Sequence, residues 1–318
     1  MTHRLTRQAF AKINLALAVS RPEHALREDG SSNPRAGWHR ISSLFACVTL
    51  RDTLTLQVAP ETRFRRAWAD DAPRQTPFDW PVEKDLVYRA HQALCRRVGK
   101  LLPVVAEIEK RIPAGGGLGG GSSDAAAMLD GLNDLFALGL PTQELAKVGS
   151  ELGSDVAFFL DRPGKVARPA LVEGFGDEIQ RRAYLSGDVV LIMPQCSCPT
   201  PLVYRAFDSW LSGQPGFVFR SSEVGRLFRS DSPAHSLTLF NDLAVPAAIV
   251  SPVVGEMQRR AEAVHSPVHV TGSGSTLFAI VETGKGGELA SRLKSALGSG
   301  AAVLSARFAE EQGNPDVQ

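Results

Sequence analysis

The sequence runs to 318 residues, 43% hydrophobic and 22% charged, a composition that suits a globular protein with chain enough for two packed domains. Lys and Arg number 35 against 34 Asp and Glu, so no global field draws the chain to nucleic acid or to an anionic membrane surface. The four cysteines (Cys47, Cys95, Cys196, Cys198) form no C-x-x-C pair and lack a nearby histidine for zinc; with no signal-like block or long apolar span, a reducing cytoplasm is expected.

Residues 10–19 alternate apolar and other side chains as a strand does, and a period of two places Lys12 and Asn14 on one face. Residues 20–37 are rich in Pro, Gly, Ser and charge, which predicts a mobile loop. Strand patterning returns over 41–58, followed by an irregular, proline-bearing excursion over 59–81. The basic clusters Arg63, Arg65, Arg66 and Arg96, Arg97 read as solvated faces, and Cys47 and Cys95 as core. Leu86, Val87, Ala90, Leu94 and Val98 fall at helical spacing, and residues 104–112 read as a strand that leaves at Pro113.

A second helix carries Met128, Leu129, Leu132, Leu135 and Phe136 and is stopped by Gly139 and Pro141; Thr142 is a candidate cap for a third. A short helical or turn segment begins near Asp155. Residues 189–193 resemble a buried strand and 194–201 an extended crossing. Helices follow, then strands over 268–270 and 277–281 around Gly272-Ser273-Gly274. The polar end, 310–318, is expected to fray. Strands and helices mixed without strict alternation predict an α+β fold.

The strongest local signal is Pro113-Ala114-Gly115-Gly116-Gly117-Leu118-Gly119-Gly120-Gly121-Ser122-Ser123, running straight into a helix. Six glycines in seven positions let a backbone approach a ligand closely, and amides backed by a helix N-terminus suit phosphate oxygens. Ser122 and Ser123 add hydroxyls. Gly115, Gly117 and Gly120 also satisfy G-x-G-x-x-G. A dinucleotide fold, however, needs a buried strand before the loop and an acid after the next strand. Here the preceding stretch is charged, and Asp130 and Asp134 lie inside the helix. The Walker A pattern has the spacing but Ser122 in place of its lysine. Phosphate charge must then be balanced from elsewhere, which brings in Lys12 and Mg2+.

Three separated segments, Ala11-Lys12-Ile13-Asn14-Leu15, the glycine loop, and Thr271-Gly272-Ser273-Gly274-Ser275, resemble the GHMP kinases. Within that superfamily the chain is most similar to the branch that phosphorylates a cytidine-diphosphate-linked methylerythritol in non-mevalonate isoprenoid synthesis. The marks are Gly37-Trp38-His39, the long glycine loop, Leu152-Gly153-Ser154-Asp155, the stretch from Glu173 to Glu178, and Asn241-Asp242-Leu243. The resemblance implies a ribosomal-protein-S5-like N-terminal domain (1–164) and a ferredoxin-like C-terminal domain (165–309), with the active site between them. It implies ATP as co-substrate, the small molecule's 2-hydroxyl as acceptor, and no nucleic-acid or membrane partner. By position, Asp155 and Lys12 match the catalytic pair. Asn14, Trp38, His39 and Thr200 match substrate contacts, and Pro113 to Ser123 the ATP-binding stretch. The chain departs from the pattern with Trp38 for a tyrosine, Asp85 for an asparagine and Ala157 for a proline.

The residues themselves allow two readings at several positions. Asp155 suits either a carboxylate beside an acceptor hydroxyl or a helix N-cap. Lys12 suits either the transferring phosphoryl or a solvated strand face. Trp38 and His39 offer a face and ring nitrogens to a pyrimidine, or simple packing. Gly272 and Gly274 abut the phosphate loop or form a plain hairpin turn. The alternative functions are a GHMP kinase for another small molecule and a nucleotide-binding relative without turnover.

Overall fold

The computed structural model describes residues 4–26 and 31–311. Its first two strands, β1 (Arg4–Pro22) and β2 (His39–Val58), are long and antiparallel. The middle of β1 is buried on both faces, which its small residues Ala11, Ala16 and Ala18 permit. The register slips between Asn14 and Ala16, and such a bulge re-aims the neighbouring side chains. β1 is longer at both ends than the alternation over 10–19 indicated. The flanks of the expected loop are hydrogen-bonded, Glu23 N donating to Trp38 O and Asn33 N to Ala25 O. Residues 27–30 of that loop and 312–318 of the expected frayed end lie outside the described residues.

The larger sheet has seven strands. Along β3 (Arg63–Trp68), β4 (Val104–Lys110), β2, β1 and β8 (Phe240–Asn241) it forms one path, while β5 (Ala170–Gly174) pairs with the first half of β2 and with β6 (Glu178–Arg181). The strand β3 corrects the expectation of an irregular stretch there. Its side chains alternate only between exposed and half-buried, so the apolar signal is weak and parallel pairing with β4 supplies the order. Arg66, expected on a solvated face, is instead half-buried and bonded to Asp85.

Helices α1 (Leu86–Val98), α2 (Gly120–Leu135), α3 (Thr142–Leu152) and the single turn α4 (Val156–Phe159) follow in the chain. The first three cover one face of the sheet, their stripes meeting Leu54, Leu56 and Ala106 in one core. Asp85 caps α1 by accepting the Val87 N–H, and Gly99 ends it in the left-handed conformation. Thr142, the candidate cap of α3, is its first residue and makes no capping bond.

The smaller sheet, in the order β11 (Ala301–Arg307), β7 (Asp188–Pro194), β10 (Leu277–Val281) and β9 (His269–Val270), is antiparallel throughout. Helices α5 (Thr200–Leu211), α7 (Ala244–Val250), α8 (Pro252–Glu262) and α9 (Gly286–Leu297) pack on one face of it. Helix α6 (Ser221–Arg229) fills the space between the sheets, where Ile13, Leu15, Leu191 and Phe278 share a core with Val224. β5 and β6 lie beyond residue 164 and still extend the larger sheet, the smaller sheet begins at Asp188, and β8 later returns to the larger one. Among the described residues no helix is long and apolar enough to cross a membrane.

Candidate active site

A cleft of about 610 Å³ opens where α2 begins, between the larger sheet and the segments that carry Thr200 and Gly272. Its floor is the glycine loop. Gly119 (φ +69°) is the cap residue of α2, and the helix starts at Gly120, so the last glycines of the run are helical. That aims the first free amides of α2 at the cleft. Gly117 (φ +76°) lies so close to the second half of the chain that a Cβ there would stand 2.3 Å from Thr271 O. Gly272 and the Thr276 N–H, which donates to Gly116 O at 3.2 Å, complete that contact. Of the two readings of Gly272 and Gly274, the structure takes the one in which their turn abuts the loop.

β1 carries Lys12 beneath the loop, its own N–H donating to Leu118 O at 2.9 Å. The side chain is buried, which removes the reading as a solvated face. Its Nζ donates to Asn14 Oδ1 at 2.7 Å, sits 4.7 Å from the centre of the Phe45 ring, and meets Asp155 Oδ2 at 3.3 Å. Asn14 is itself fixed: its Nδ2 donates to Ser43 Oγ, and its Oδ1 also accepts from Thr271 Oγ1. Asp155 precedes α4 but makes no side-chain capping bond, and it is 25% exposed where Lys12 is 4% exposed. One group of the pair is therefore locked and the other open to a ligand.

Lys12, Asn14, Asp155, Thr200 and the residues from Pro113 to Ser122 all border the cleft; Ser123, buried, does not, and lines a separate cavity instead. Thr200 Oγ1 lies 2.9 Å from Ser273 Oγ. Trp38 and His39 are placed differently. The Trp38 side chain is exposed and edge-on to Phe175 at 6.1 Å. His39 packs 5.1 Å from Tyr204, with Nδ1 donating to Ser20 O and Nε2 3.3 Å from Asp208. Neither ring lines the cleft: His39 reaches it only through Tyr204, which does border it, and Trp38 packs away from it on Phe175. Tyr204 was missed in the sequence, although it stands one helical turn beyond Thr200 on the same face.

The far end of the cleft was missed too. Trp68 and Phe78 stack at 5.2 Å with an interplanar angle of 7°, and Trp80 lies edge-on to Phe78. Arg66 lies 4.7 Å from the Trp80 ring centre and donates to Asp85 at 2.7 Å, and Trp80 Nε1 donates to the same carboxylate. Asp85 is consumed by these bonds and by the cap of α1, while the stacked Trp68 and Phe78 with Trp80 across them form an apolar wall. Chemically, the cleft offers a surface for a planar base, an amide floor for phosphates, and a Lys–Asp pair beside that floor. A second cavity of about 530 Å³ lies on the other side of β1, and several of its charged groups are paired, Arg7 with Asp130 and Asp134, and Arg162 and Lys165 with Glu311.

Residues 85–161 match the family model of the GHMP kinases N terminal domain. A 4-diphosphocytidyl-2-C-methyl-D-erythritol kinase of Thermodesulfovibrio yellowstonii is 31% identical over 87% of this chain and 89% of its own length. The protein of the same name from Caulobacter vibrioides is 34% identical over 87% of this chain and 90% of its own. A crystal structure of 4-(cytidine 5'-diphospho)-2C-methyl-D-erythritol kinase superposes with a TM-score of 0.68 at 30% identity, covering 97% of this chain and 100% of that one. The L. major mevalonate kinase shares the fold at a TM-score of 0.65 and 12% identity.

Proposed function

Because the chain belongs to the 4-diphosphocytidyl-2-C-methyl-D-erythritol kinase family of GHMP kinases, we propose that its cleft transfers the γ-phosphoryl group of ATP to the 2-hydroxyl of 4-diphosphocytidyl-2-C-methyl-D-erythritol. The observation that carries the chemistry is the contact of Lys12 with Asp155 at 3.3 Å, beside the glycine loop. The loop amides and the start of α2 hold the nucleotide phosphates. Asp155 accepts the hydrogen bond of the acceptor hydroxyl and aims it, and Lys12 sets positive charge beside the phosphoryl group in flight. Asn14 keeps Lys12 in place, Thr200 and Tyr204 form the acceptor's side of the cleft, and His39 supports Tyr204 from outside it.

ATP enters such reactions with Mg2+, which neutralises phosphate charge. The described residues hold no cluster of three or more His, Cys, Asp or Glu fit for a metal, so no side chain is assigned to the ion and no step is routed through it. The test is ADP release from Mg-ATP with and without the cytidine-linked acceptor. Release that depends on the acceptor supports the assignment. Release that is equal without it, or that appears only with sugars, homoserine or mevalonate, overturns it.

A further inference from the structure

Behind the phosphate loop lies a charge cluster that the reaction described above does not use. Lys110 ends β4 just before the loop, and Asp124 stands in the opening turns of α2 just after it. Lys110 Nζ donates to Asp124 Oδ2 at 2.5 Å and also to Asp52 of β2. Asp52 accepts in addition from the N–H groups of Arg111, at 2.5 Å, and Ile112, at 2.9 Å, the two residues that lead from β4 into the loop. Three elements are thereby tied at one point, and the two arms of the loop are drawn together. The fit leaves no slack: a Cβ on Gly120 would stand 2.8 Å from Ile112 Cγ2 and 3.6 Å from Lys110 Nζ.

The hydrogen-bond inventory of the cluster is unequal. Asp52 accepts from Lys110 and two backbone N–H groups, whereas Asp124 Oδ1 is buried and has no hydrogen-bond donor, although Asp124 borders the cleft. A carboxylate oxygen that is charged, buried and unbonded is costly; a neutral carboxyl there costs less. Two ionised carboxylates around one ammonium would also leave a net negative charge directly behind a loop that receives phosphates. Resting on the kinase reading, we propose that Asp124 is a positioning residue for the nucleotide, acting in its protonated form through Lys110 and Asp52 to hold the loop closed and electrically neutral from behind.

The titration behaviour agrees. Burial, with the nearby Asp52 charge, pushes the Asp124 carboxyl up to about 8 against the pull of Lys110. Burial works against the Lys110 ammonium, but the two acids outweigh it and raise its pKa. The other elements packed on α2 add little charge at this point. β1 brings Lys12, engaged with Asn14 and Asp155, and Arg7, engaged with Asp130 and Asp134 further along the helix. α1 buries only His91 and Cys95 among its titratable groups, close to each other and to Leu102 O. α3 and α4 bury no charged residue.

The sign follows. With its pKa raised to about 8, Asp124 gains charge as pH rises through that region and then repels the phosphates. The measurement is calorimetric ADP affinity of the whole chain between pH 7 and pH 9.5, for wild type and Asp124→Asn. Wild-type affinity is expected to fall on the order of tenfold across this range, and the variant to stay within about twofold. Parallel curves for the two proteins overturn the proposal. In wild type alone, titrations at pH 8 in buffers of different ionisation heat should show uptake of a fraction of a proton on binding, and zero uptake overturns it as well. If the folded wild type does not bind ADP at any pH, the kinase reading fails first and the positioning role falls with it.

Discussion

Lys12 and Asp155 differ in freedom as much as in charge. Lys12 is held on three sides by Asn14, the Phe45 ring and the backbone of the loop, while Asp155 keeps an open face. What holds Asp155 is the backbone before it. Gly176 (φ +98°) packs so tightly that a Cβ there would lie 2.8 Å from Ser154 O, so the turn after β5 braces the residue preceding the carboxylate. This explains why a glycine-bearing turn some twenty residues downstream accompanies the Asp155 segment. Asp155→Asn is expected to lower kcat by about 10²- to 10⁴-fold with the ADP dissociation constant within about twofold, read by rapid-quench turnover and calorimetry. A variant that turns over like wild type would remove Asp155 from the chemistry.

At the scale of elements, the aromatic end of the cleft is built by β3 and the segment from Thr76 to Trp80, which return to the sheet where only an irregular excursion was legible. Trp68 Nε1 donates to Thr76 O, Arg66 Nη2 donates to Trp80 O, and the Asp85 carboxylate gathers Arg66, Trp80 and the start of α1. Trp80→Ala is expected to raise the KM for ATP about tenfold, since stacking on a base contributes about 1–3 kcal/mol, and to leave the KM of the cytidine-linked acceptor unchanged. An unchanged ATP KM would show that the base lies elsewhere. The helices could be read because their stripes repeat at 3.6 residues over long runs, and α1 appears over the very span that its apolar spacing marks. β3 could not, because it is charged and half-exposed. Its order comes from pairing with β4, forty residues on. The phosphate loop and the Lys12–Asn14 face were legible for a local reason, glycine density and a period of two. Tyr204, the aromatic wall and the Lys110 cluster join distant segments, and only the assembled fold brings them together.

At the scale of the molecule, the cleft is also a seam between the two sheets. The floor of the phosphate site rests on Thr271 and Gly272, so the second half of the chain supports the loop before any nucleotide arrives. Gly117→Ala would force a left-handed alanine with its Cβ 2.3 Å from Thr271 O. It is expected to destabilise the protein by about 2–4 kcal/mol, measured by urea unfolding, and to abolish ADP binding. A stable variant that binds ADP normally would show that the seam yields easily.

The larger sheet does not draw its strands from one contiguous stretch. β5 and β6 follow residue 164, and β8 returns from beyond 239 to lie parallel to β1, where Asp242 then accepts the Val19 N–H. Separate expression of residues 1–164 and 165–318 should therefore yield two fragments that aggregate alone and regain activity only when co-expressed. An early piece of the growing polypeptide emerging from a ribosome faces the same difficulty, with one flank of β2 bare until β5 is made and one of β1 bare until β8 follows much later in the chain.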